Sequence, residues 1–246
     1  MSKPNFIELG LGKFAVKIPI LHEDRASIAI DKPEGWMLVP LTWQNTKRNL
    51  QAALNSSIAA GDFWARSRSL KFLRYAHRLD ADTTGILLLV KSQNALEQYS
   101  ELFETRSMEK IYLAVVRGVP KQEKWTSHAK IAPDPSDIGR MMIDEEIGKD
   151  AETHFRVLAT RDDPKLGGLT LVEAHPVTGR THQIRLHLTD AGYPVMGDEY
   201  YGKPGQGGAG SLALRSVFLG YQCPFTRRRV EIRAPKEGFL KQFGFG

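Results

Sequence analysis

The sequence predicts an α+β fold built on a mixed, mainly antiparallel central sheet with flanking helices. Apolar segments of strand length follow one another through turns of hairpin length, and segments with helical spacing are few. No segment repeats at a fixed period, and no Gly/Ser-rich linker divides the chain. One sheet in one domain is therefore the simplest prediction, although a cleft between two lobes of that sheet is compatible with the same pattern.

The first half of the chain predicts strands and then helices. Residues 27–31 alternate apolar and polar side chains as a strand does, and Lys32-Pro33-Glu34-Gly35 predicts the turn that ends it. Spaced apolar residues between 44 and 58 predict a helix. Ser92 is well placed as the N-cap of a second helix, whose apolar residues recur at helical spacing: Ala95, Leu96, Tyr99, Leu102 and Phe103.

Strands dominate the second half of the chain. Residues 110–118 alternate and predict a strand, whereas 119–150 are rich in charge, Pro and Gly and predict a surface excursion without chemistry. The remaining candidate strands cover residues 125–131, 151–159, 168–174 and two segments of 211–233 on either side of Cys223-Pro224.

Composition limits the function classes. The chain has 34 Lys and Arg against 28 Asp and Glu in 246 residues, a net charge of +6 and a pI near 9.4, which favours an acidic partner such as nucleic acid. The lone Cys223 excludes an internal disulfide and cysteine-based zinc fingers. No signal peptide or bilayer-length apolar stretch is present. We therefore expect a cytoplasmic protein that needs no membrane and no obligatory protein partner.

The segment His77-Arg78-Leu79-Asp80 is the most informative in the chain. It runs through Gly85 into the apolar residues 86–90, which predict a buried strand. A carboxylate on such a turn, with basic residues around it, indicates a positioned group that acts on a polyanionic substrate.

A second group of polar residues spans 175–194. Thr181 is a good N-cap and Gly192 a good C-terminal stop, which predicts a short helix between them. Arg185 can then lean from this helix into a cleft and pair with a carboxylate or a phosphate, while Arg180 precedes the helix N-terminus.

Two other interpretations of this segment stay open. Arg and His on an amphipathic helix commonly form a solvated face. Metal binding by histidines is disfavoured, because His182 and His187 lie about 140° apart on a helix; the third histidine in that hypothesis is His175.

Two further patterns have competing interpretations. The basic residues between Arg66 and Arg74 are interleaved with Phe63, Trp64 and Phe72, which fits either an RNA-binding surface with aromatic platforms or a solvated face whose aromatics point inward. The glycines of 205–210 fit the dinucleotide-binding pattern but follow no apolar strand, so a loop is favoured. Motifs of a Ser nucleophile or a phosphate-binding Gly-Lys-Ser/Thr loop are absent from the sequence.

Four motifs in order resemble those of the RluA-type RNA pseudouridine synthases. They are His77-Arg-Leu-Asp80-Ala-Asp-Thr-Thr-Gly85, Lys110-Ile-Tyr112-Leu-Ala-Val-Val-Arg-Gly118, Gly179-Arg-Thr-His-Gln-Ile-Arg185-Leu-His-Leu and Gly192-Tyr-Pro-Val-Met-Gly-Asp198. The resemblance covers roughly 21–233. It implies a catalytic cleft and isomerisation of uridine to pseudouridine in structured ribosomal or transfer RNA, without a metal or an organic cofactor.

The resemblance also implies roles for individual residues. Asp80 would be the catalytic carboxylate, Tyr112 would stack on the flipped base and assist proton transfer, and Arg185 would pair with Asp80. A base stacked in RNA must be extruded to react, so an electropositive surface is needed as well. Arg78, Arg180 and His182 are the candidates for phosphate contacts, and Leu214 would form an apolar wall of the pocket.

The chain departs from the family pattern in its tail and near its beginning. Arg215 and Cys223 stand where many relatives have histidine, and residues 37–40 replace a usual Val-His-Pro. We expect a single catalytic domain over 1–246, with its core at about 18–235 and no separate N-terminal RNA-binding module. The alternatives are a non-catalytic RNA-binding module that keeps the fold, and an enzyme of small anions.

Overall fold

The computed structural model describes residues 3–10, 15–38, 48–164, 166–202 and 210–246. The chain forms two compact units. The first comprises Met1–Met108 and Leu219–Ala234, and the second comprises Glu109–Phe218 and Pro235–Gly246. Compact units need not fold separately, so the expectation of one domain stays a prediction.

The first unit begins with an antiparallel sheet of order β1-β2-β3-β5, with β4 paired to β5. Three helices accompany these strands. The elements are β1 (Phe6–Leu9), β2 (Val16–Glu23), β3 (Ser27–Lys32), α1 (Leu50–Ala59), α2 (Phe63–Arg66), β4 (Arg74–Tyr75), β5 (Thr84–Val90) and α3 (Gln93–Glu104).

The predicted strand at 27–31 is confirmed, but its predicted alternation is wrong. Residues 27–30 are all buried, because β3 lies between β2 and β5 and is covered on both faces. The predicted cap of α3 is also confirmed: the Ser92 hydroxyl accepts a hydrogen bond from the Ala95 amide at 3.1 Å. α3 packs on β5, and both contribute to the core of this unit.

The second unit contains an antiparallel sheet of order β6-β11-β10-β7 and a separate hairpin of β8 and β9. The predicted strand pair at 151–174 is confirmed as β10 and β11. The elements are β6 (Glu109–Arg117), β7 (Lys124–Ser127), β8 (Ile131–Pro133), β9 (Met141–Ile143), β10 (Thr153–Asp163), β11 (Gly167–Pro176), α4 (Gln183–Asp190) and, near the C-terminus, α5 (Glu237–Gln242).

Two strands in the tail complete the fold. β12 (Leu214–Gln222) begins in the second unit and ends in the first, where β13 (Arg229–Arg233) pairs with it. This confirms the two strands predicted around Cys223-Pro224. The fold class predicted from the sequence, α+β with a mixed and mainly antiparallel sheet, is likewise confirmed.

The helix predicted between Thr181 and Gly192 is confirmed, but Thr181 is not its N-cap. His182 takes the cap position with a φ of 57° and makes no side-chain cap hydrogen bond. The Gln183 carboxamide oxygen instead accepts hydrogen bonds from the Arg180 amide at 2.9 Å and the Thr178 hydroxyl at 2.7 Å. Because this side chain satisfies the preceding turn, the helix begins later than predicted.

The interpretation of α4 as a solvated face is wrong, since residues 183–188 are all buried. No helix in the described ranges is long and apolar enough to cross a bilayer. The glycines of 205–209, Val39-Pro40 and the first residues of the helix predicted from 44 lie outside the described residues.

Candidate active site

Asp80, the candidate catalytic residue of the first unit, lies on the loop between β4 and β5. His77 anchors the start of this loop: its Nε2 accepts the Leu88 amide hydrogen at 3.1 Å, and its ring stacks on Phe103 with centroids 4.6 Å apart. Leu79 is buried, Asp80 is half-buried and Arg78 is exposed. The loop therefore keeps Asp80 near the surface while its neighbours are fixed to β5 and α3.

A buried lysine holds the residue that follows Asp80. The Lys32 ammonium is fully buried and donates to the carbonyl oxygens of Ala81 at 2.6 Å and Pro33 at 3.0 Å. The Gly35 amide donates to the same Ala81 oxygen at 3.0 Å. The turn at 32–35, which the sequence identified only as the end of a strand, thus holds the loop of the candidate catalytic residue Asp80 in place.

Burial also changes the chemistry of this lysine. Desolvation lowers the pKa of Lys32 to about 8, against the opposing effect of the negative charges of Asp82, Asp80 and Glu34. The ammonium is therefore charged at neutral pH and lies close enough to the loop carboxylates to interact with them. No local sequence pattern indicated this role, because Lys32 and Ala81 are far apart in the chain.

In the second unit, Arg185 is fixed by a buried ion pair with Asp198. Its Nε and Nη2 each donate to one Asp198 oxygen at 2.7 Å, and the two side chains are 6% and 0% exposed. Asp198 also accepts the amide hydrogens of Tyr200 at 3.0 Å and Tyr201 at 3.1 Å. The sequence motif contains Asp198 but indicated no role for it. The predicted pairing of Arg185 with Asp80 stays a prediction.

Aromatic rings complete the surroundings of Arg185. Its guanidinium carbon lies 5.4 Å from the Tyr200 ring centroid and 5.1 Å from that of Tyr201. The Tyr201 hydroxyl accepts the Met141 amide hydrogen at 3.0 Å and lies 2.7 Å from His182 Nδ1, to which it can donate its own hydrogen. The excursion at 119–150 therefore supports the site through β9, although we predicted no chemistry there.

Tyr112 lies on the same face of the second unit's sheet as α4. It is buried on β6 opposite Ala174, which in turn is opposite Phe155 on β10. Side chains two residues apart share a face, so Thr153 points the same way as Phe155. The Thr153 hydroxyl bonds both Gln183 and His187 of α4. Two candidate catalytic side chains, Tyr112 and Arg185, thus come from elements on one face.

The proposed substrate-binding residues occupy different settings. Arg78 is exposed, whereas Arg180 is half-buried and its Nε donates to the Asp150 carbonyl oxygen at 3.0 Å. His182 is half-buried beside Tyr201, and Leu214 is buried at the start of β12. Their contacts with substrate stay predictions.

The basic cluster between 66 and 74 is only partly a surface. The Arg68 side chain is 3% exposed and bonds Glu23 at 2.9 Å and the Pro4 carbonyl oxygen at 2.6 Å, so its assignment to the surface is wrong. Trp64 is buried and donates to the Ser57 hydroxyl, so it cannot be a platform for bases. The cluster residues that are exposed are Phe63, Arg66, Lys71 and Arg74.

The three histidines considered as metal ligands make separate hydrogen bonds. His187 bonds Thr153 through Nδ1 and the Ala129 carbonyl oxygen through Nε2, and burial lowers the pKa of its imidazole. His175 bonds Glu173, and His182 bonds Tyr201. Within the described part of the chain, no group of three or more His, Cys, Asp or Glu side chains is arranged to hold a metal ion.

Comparisons with known proteins agree with the sequence motifs. A family model described as RNA pseudouridylate synthase matches residues 27–190. A Yersinia pestis protein named ribosomal large subunit pseudouridine synthase C is 34% identical over 234 residues, which cover 90% of this chain and 67% of that protein. The residues matched by the family model include the loop of Asp80, the strand of Tyr112 and the helix of Arg185.

Solved human structures share the fold. RNA Pseudouridylate Synthase Domain Containing 1 superposes with a TM-score of 0.70 at 24% identity and covers 89% of this chain and 83% of its own. RNA Pseudouridylate Synthase Domain Containing 4 gives 0.70 at 22% identity and covers 92% of each chain. The predicted resemblance to RluA-type enzymes is thereby confirmed, and the chain belongs to the RNA pseudouridylate synthase family of isomerases.

Proposed function

We propose that this protein converts specific uridines of large-subunit ribosomal RNA to pseudouridine, with Asp80 as the catalytic carboxylate. The observation that carries the assignment of Asp80 is the clamp on its loop: Lys32 and Gly35 both bind the Ala81 carbonyl oxygen. The ribosomal substrate is inferred from the name of the Yersinia pestis relative. Transfer RNA, which the sequence allowed equally, is the alternative substrate.

The reaction rearranges bonds within one nucleotide. The bond from ribose C1′ to uracil N1 breaks, the base turns, and C1′ bonds to C5; C5 then loses its proton, and N1 gains one. Nothing is added or removed overall, which agrees with the expectation that no cofactor is needed. Asp80 would act as nucleophile or base during cleavage and re-formation of the glycosidic bond. Such a role needs an ionised carboxylate, and the Lys32 ammonium supplies a positive charge close to that loop.

The other candidate residues would hold and serve the extruded base. Tyr112 would stack on the uracil ring and take part in proton transfer at C5. Arg185, whose guanidinium is held by Asp198, would orient the carboxylate. Arg78, exposed two residues before Asp80, would bind a phosphate of the flipped nucleotide.

The direct test is tritium release from C5-labelled uridine in ribosomal RNA. We expect release by the native chain and none by Asp80→Asn. Asp82→Asn is the matched control, because it makes the same change two positions away on an exposed loop residue. Release that survives in Asp80→Asn would remove Asp80 from the chemistry.

A non-catalytic RNA-binding module predicts a different pattern. It would bind RNA in a salt-dependent way, release no tritium from any RNA, and be indifferent to Asp80→Asn. The substrate is tested separately by mapping pseudouridines in cells with and without the gene. Loss of a modification from transfer RNA alone would replace the ribosomal assignment and leave the isomerase activity intact.

A further inference from the structure

An exposed basic loop joins β12 to β13 in the first unit. The loop residues 223–228 and Arg229, the first residue of β13, are here called the arginine hairpin; Arg227, Arg228 and Arg229 follow one another and are all exposed. Arg229 pairs with Glu231 at 3.6 Å in a solvated ion pair. No carboxylate in the described ranges lies within ion-pair distance of Arg227 or Arg228. Two guanidinium groups thus point to solvent without a compensating charge.

The hairpin has a fixed backbone. The Cys223 amide donates to the Arg228 carbonyl oxygen at 2.9 Å, and the Arg227 amide donates to the Cys223 carbonyl oxygen at 2.9 Å. The Gln222 side chain donates to the Arg227 carbonyl oxygen at 3.0 Å. Phe225, although 45% exposed, has its ring centroid 6.2 Å from that of Tyr99. These hydrogen bonds therefore fix the backbone that carries the three arginines.

The backbone at Arg227 is unfavourable for an arginine. Its φ of 59° lies in the left-handed region, where glycine or asparagine is favoured and a longer side chain is strained. A glycine at this position would relieve the strain. The conformation of the turn therefore does not explain why residue 227 is an arginine. A function of the arginine side chain explains it better.

The position of the hairpin follows from its neighbours in the first unit. Tyr221 at the end of β12 and Cys223 at the start of the hairpin lie in one apolar cluster with Val90, and Ala26 of the turn before Ser27 packs against that cluster. Ser27 pairs with Val90, at the far end of β5 from the catalytic loop. From Thr84 to Val90 a strand extends about 20 Å. The hairpin and Asp80 thus lie at opposite ends of β5.

Charges near the hairpin reinforce it. Arg25 is exposed in the same turn between β2 and β3, whereas the Asp24 carboxylate is bonded to Ala26 and Ser27. The acidic residues of α3 point elsewhere: on a helix they lie about 140–160° around the axis from Tyr99, which faces the core beside Phe225. These residues are Glu97, Glu101 and Glu104.

We propose that the arginine hairpin is a second RNA-binding surface, which contacts phosphates of the substrate about 20 Å from Asp80. This inference rests on the proposed function, in that the ligand is the substrate RNA. Guanidinium groups bind phosphate oxygens bidentately, and the exposed Phe225 ring offers an unpaired base a stacking surface. The surface would bind long substrates more tightly without taking part in the chemistry.

The test compares a long ribosomal RNA fragment with a short stem-loop that carries the same uridine but reaches less than about 20 Å from it. In Arg227→Gln/Arg228→Gln we expect KM for the long RNA to rise about tenfold, with kcat unchanged. The salt dependence of binding should become shallower by about 1.5 in the log–log slope. KM for the short stem-loop should not change.

A charge-matched control separates a local contact from the net charge. Lys236→Gln/Lys241→Gln removes two exposed positive charges at the ends of α5, at positions outside any candidate site. The KM of this variant should match that of the native chain. An equal rise of KM in both double variants would show a general electrostatic effect and overturn the proposal.

Arg227→Gly separates binding from structure, because it removes both the side chain and the backbone strain. We expect its denaturation midpoint to stay equal or increase while KM for the long RNA rises. An unchanged KM in Arg227→Gly and in the double glutamine variant would overturn the proposal.

RNA binding measured without turnover distinguishes this proposal from the proposed function. The native chain could modify no RNA while the hairpin variants still lost binding to the long RNA. In that case the isomerase assignment would fail, and the proposal that the arginine hairpin binds RNA would be supported. If the variants bound long RNA normally but lost binding to vesicles of anionic lipid, the surface would belong to a membrane partner and the proposal would be overturned.

Discussion

Arg185 and Asp198 form a buried bidentate ion pair in which both nitrogen-to-oxygen distances are 2.7 Å. The pair joins α4 to the turn at 198–202, whose amide groups at Tyr200 and Tyr201 donate to the same carboxylate. Asp198 is therefore satisfied on both oxygens, and the guanidinium plane of Arg185 is fixed. The sequence motif that ends in Gly197-Asp198 acquires a physical role as the support of a candidate catalytic arginine.

Asp198→Asn should destabilise the fold and impair the reaction. The amide has no negative charge and carries an NH2 donor in place of the second acceptor oxygen, so a buried arginine loses part of its compensation, which typically costs about 3–5 kcal/mol. Urea denaturation measures the stability, and tritium release at a temperature where the variant is folded measures activity. Asp190→Asn, at the exposed end of α4, is the matched control. Native stability in Asp198→Asn would mean that the pair is not needed.

Gly197→Ala should be more harmful than the same change at Gly192. Both glycines have positive φ, 72° and 88°, so both variants suffer backbone strain. Of these two positions, only Gly197 would bring the new methyl group against the chain, at the Ser211 carbonyl oxygen, whereas Gly192 has open space. We expect Gly197→Ala to displace Asp198 and lose activity as well as stability. Equal denaturation midpoints for the two variants would contradict this steric explanation.

Lys32 should make stability depend on pH in alkaline solution. Its pKa is about 8 in the fold and about 10.5 in the unfolded chain, so between these values the unfolded state binds more protons. The contribution of Lys32 to the free energy of unfolding should therefore rise with pH across this window. Below pH 8 the folded protein bears the full cost of burying the charged ammonium. Denaturation at pH 7.5 and 9.5 should show a rise in the native chain relative to Lys32→Met, which lacks the group. Parallel pH profiles would contradict the lowered pKa.

The same lysine should affect activity in the opposite direction. Above pH 8 the positive charge beside the loop of Asp80 is lost, so kcat/KM should decline with an alkaline limb near that pH if Asp80 is catalytic. Lys32→Arg keeps its charge throughout this range. If that variant folds, its alkaline limb should be absent; an identical limb would assign the titration to another group.

Tyr112→Phe should keep the ring and remove the hydroxyl. If Tyr112 assists proton transfer, kcat should fall by about a hundredfold while KM stays near the native value. Tyr193→Phe, a half-buried tyrosine of the same unit, is the control for loss of a hydroxyl. An unchanged kcat in Tyr112→Phe would confine Tyr112 to stacking on the base.

Local patterns predicted local structure well. The Ser92 cap needed only the spacing to Ala95, and the β10–β11 pair needed only two apolar runs and a turn. The cap of α4 was misassigned because Gln183, a residue inside the helix, satisfies the turn before it. N-cap propensity favours Thr181 over His182, but the hydrogen bonds of the Gln183 side chain determine where the helix begins.

Long-range polar contacts could not be predicted in this way. Lys32 bonds Ala81, and Arg68 bonds Glu23, across 49 and 45 residues of chain. Each contact buries a charge, which single-sequence patterns assign to the surface because lysine and arginine are usually exposed. The motif around Asp198 was recognisable, but its partner on α4 became evident only from the fold.

The division of the chain has a consequence for its synthesis. Side chains from the tail, among them Leu219, Tyr221 and Ile232, complete a core whose other members all lie at or before Met108. A ribosome that adds about 5–20 residues per second needs on the order of 6–20 s to make the residues in between, 109–218. During that interval the apolar faces of β5 and α3 lack the strands that cover them. The nascent chain therefore carries an unfinished core until its tail emerges, and a fragment that stops at Met108 should aggregate rather than fold.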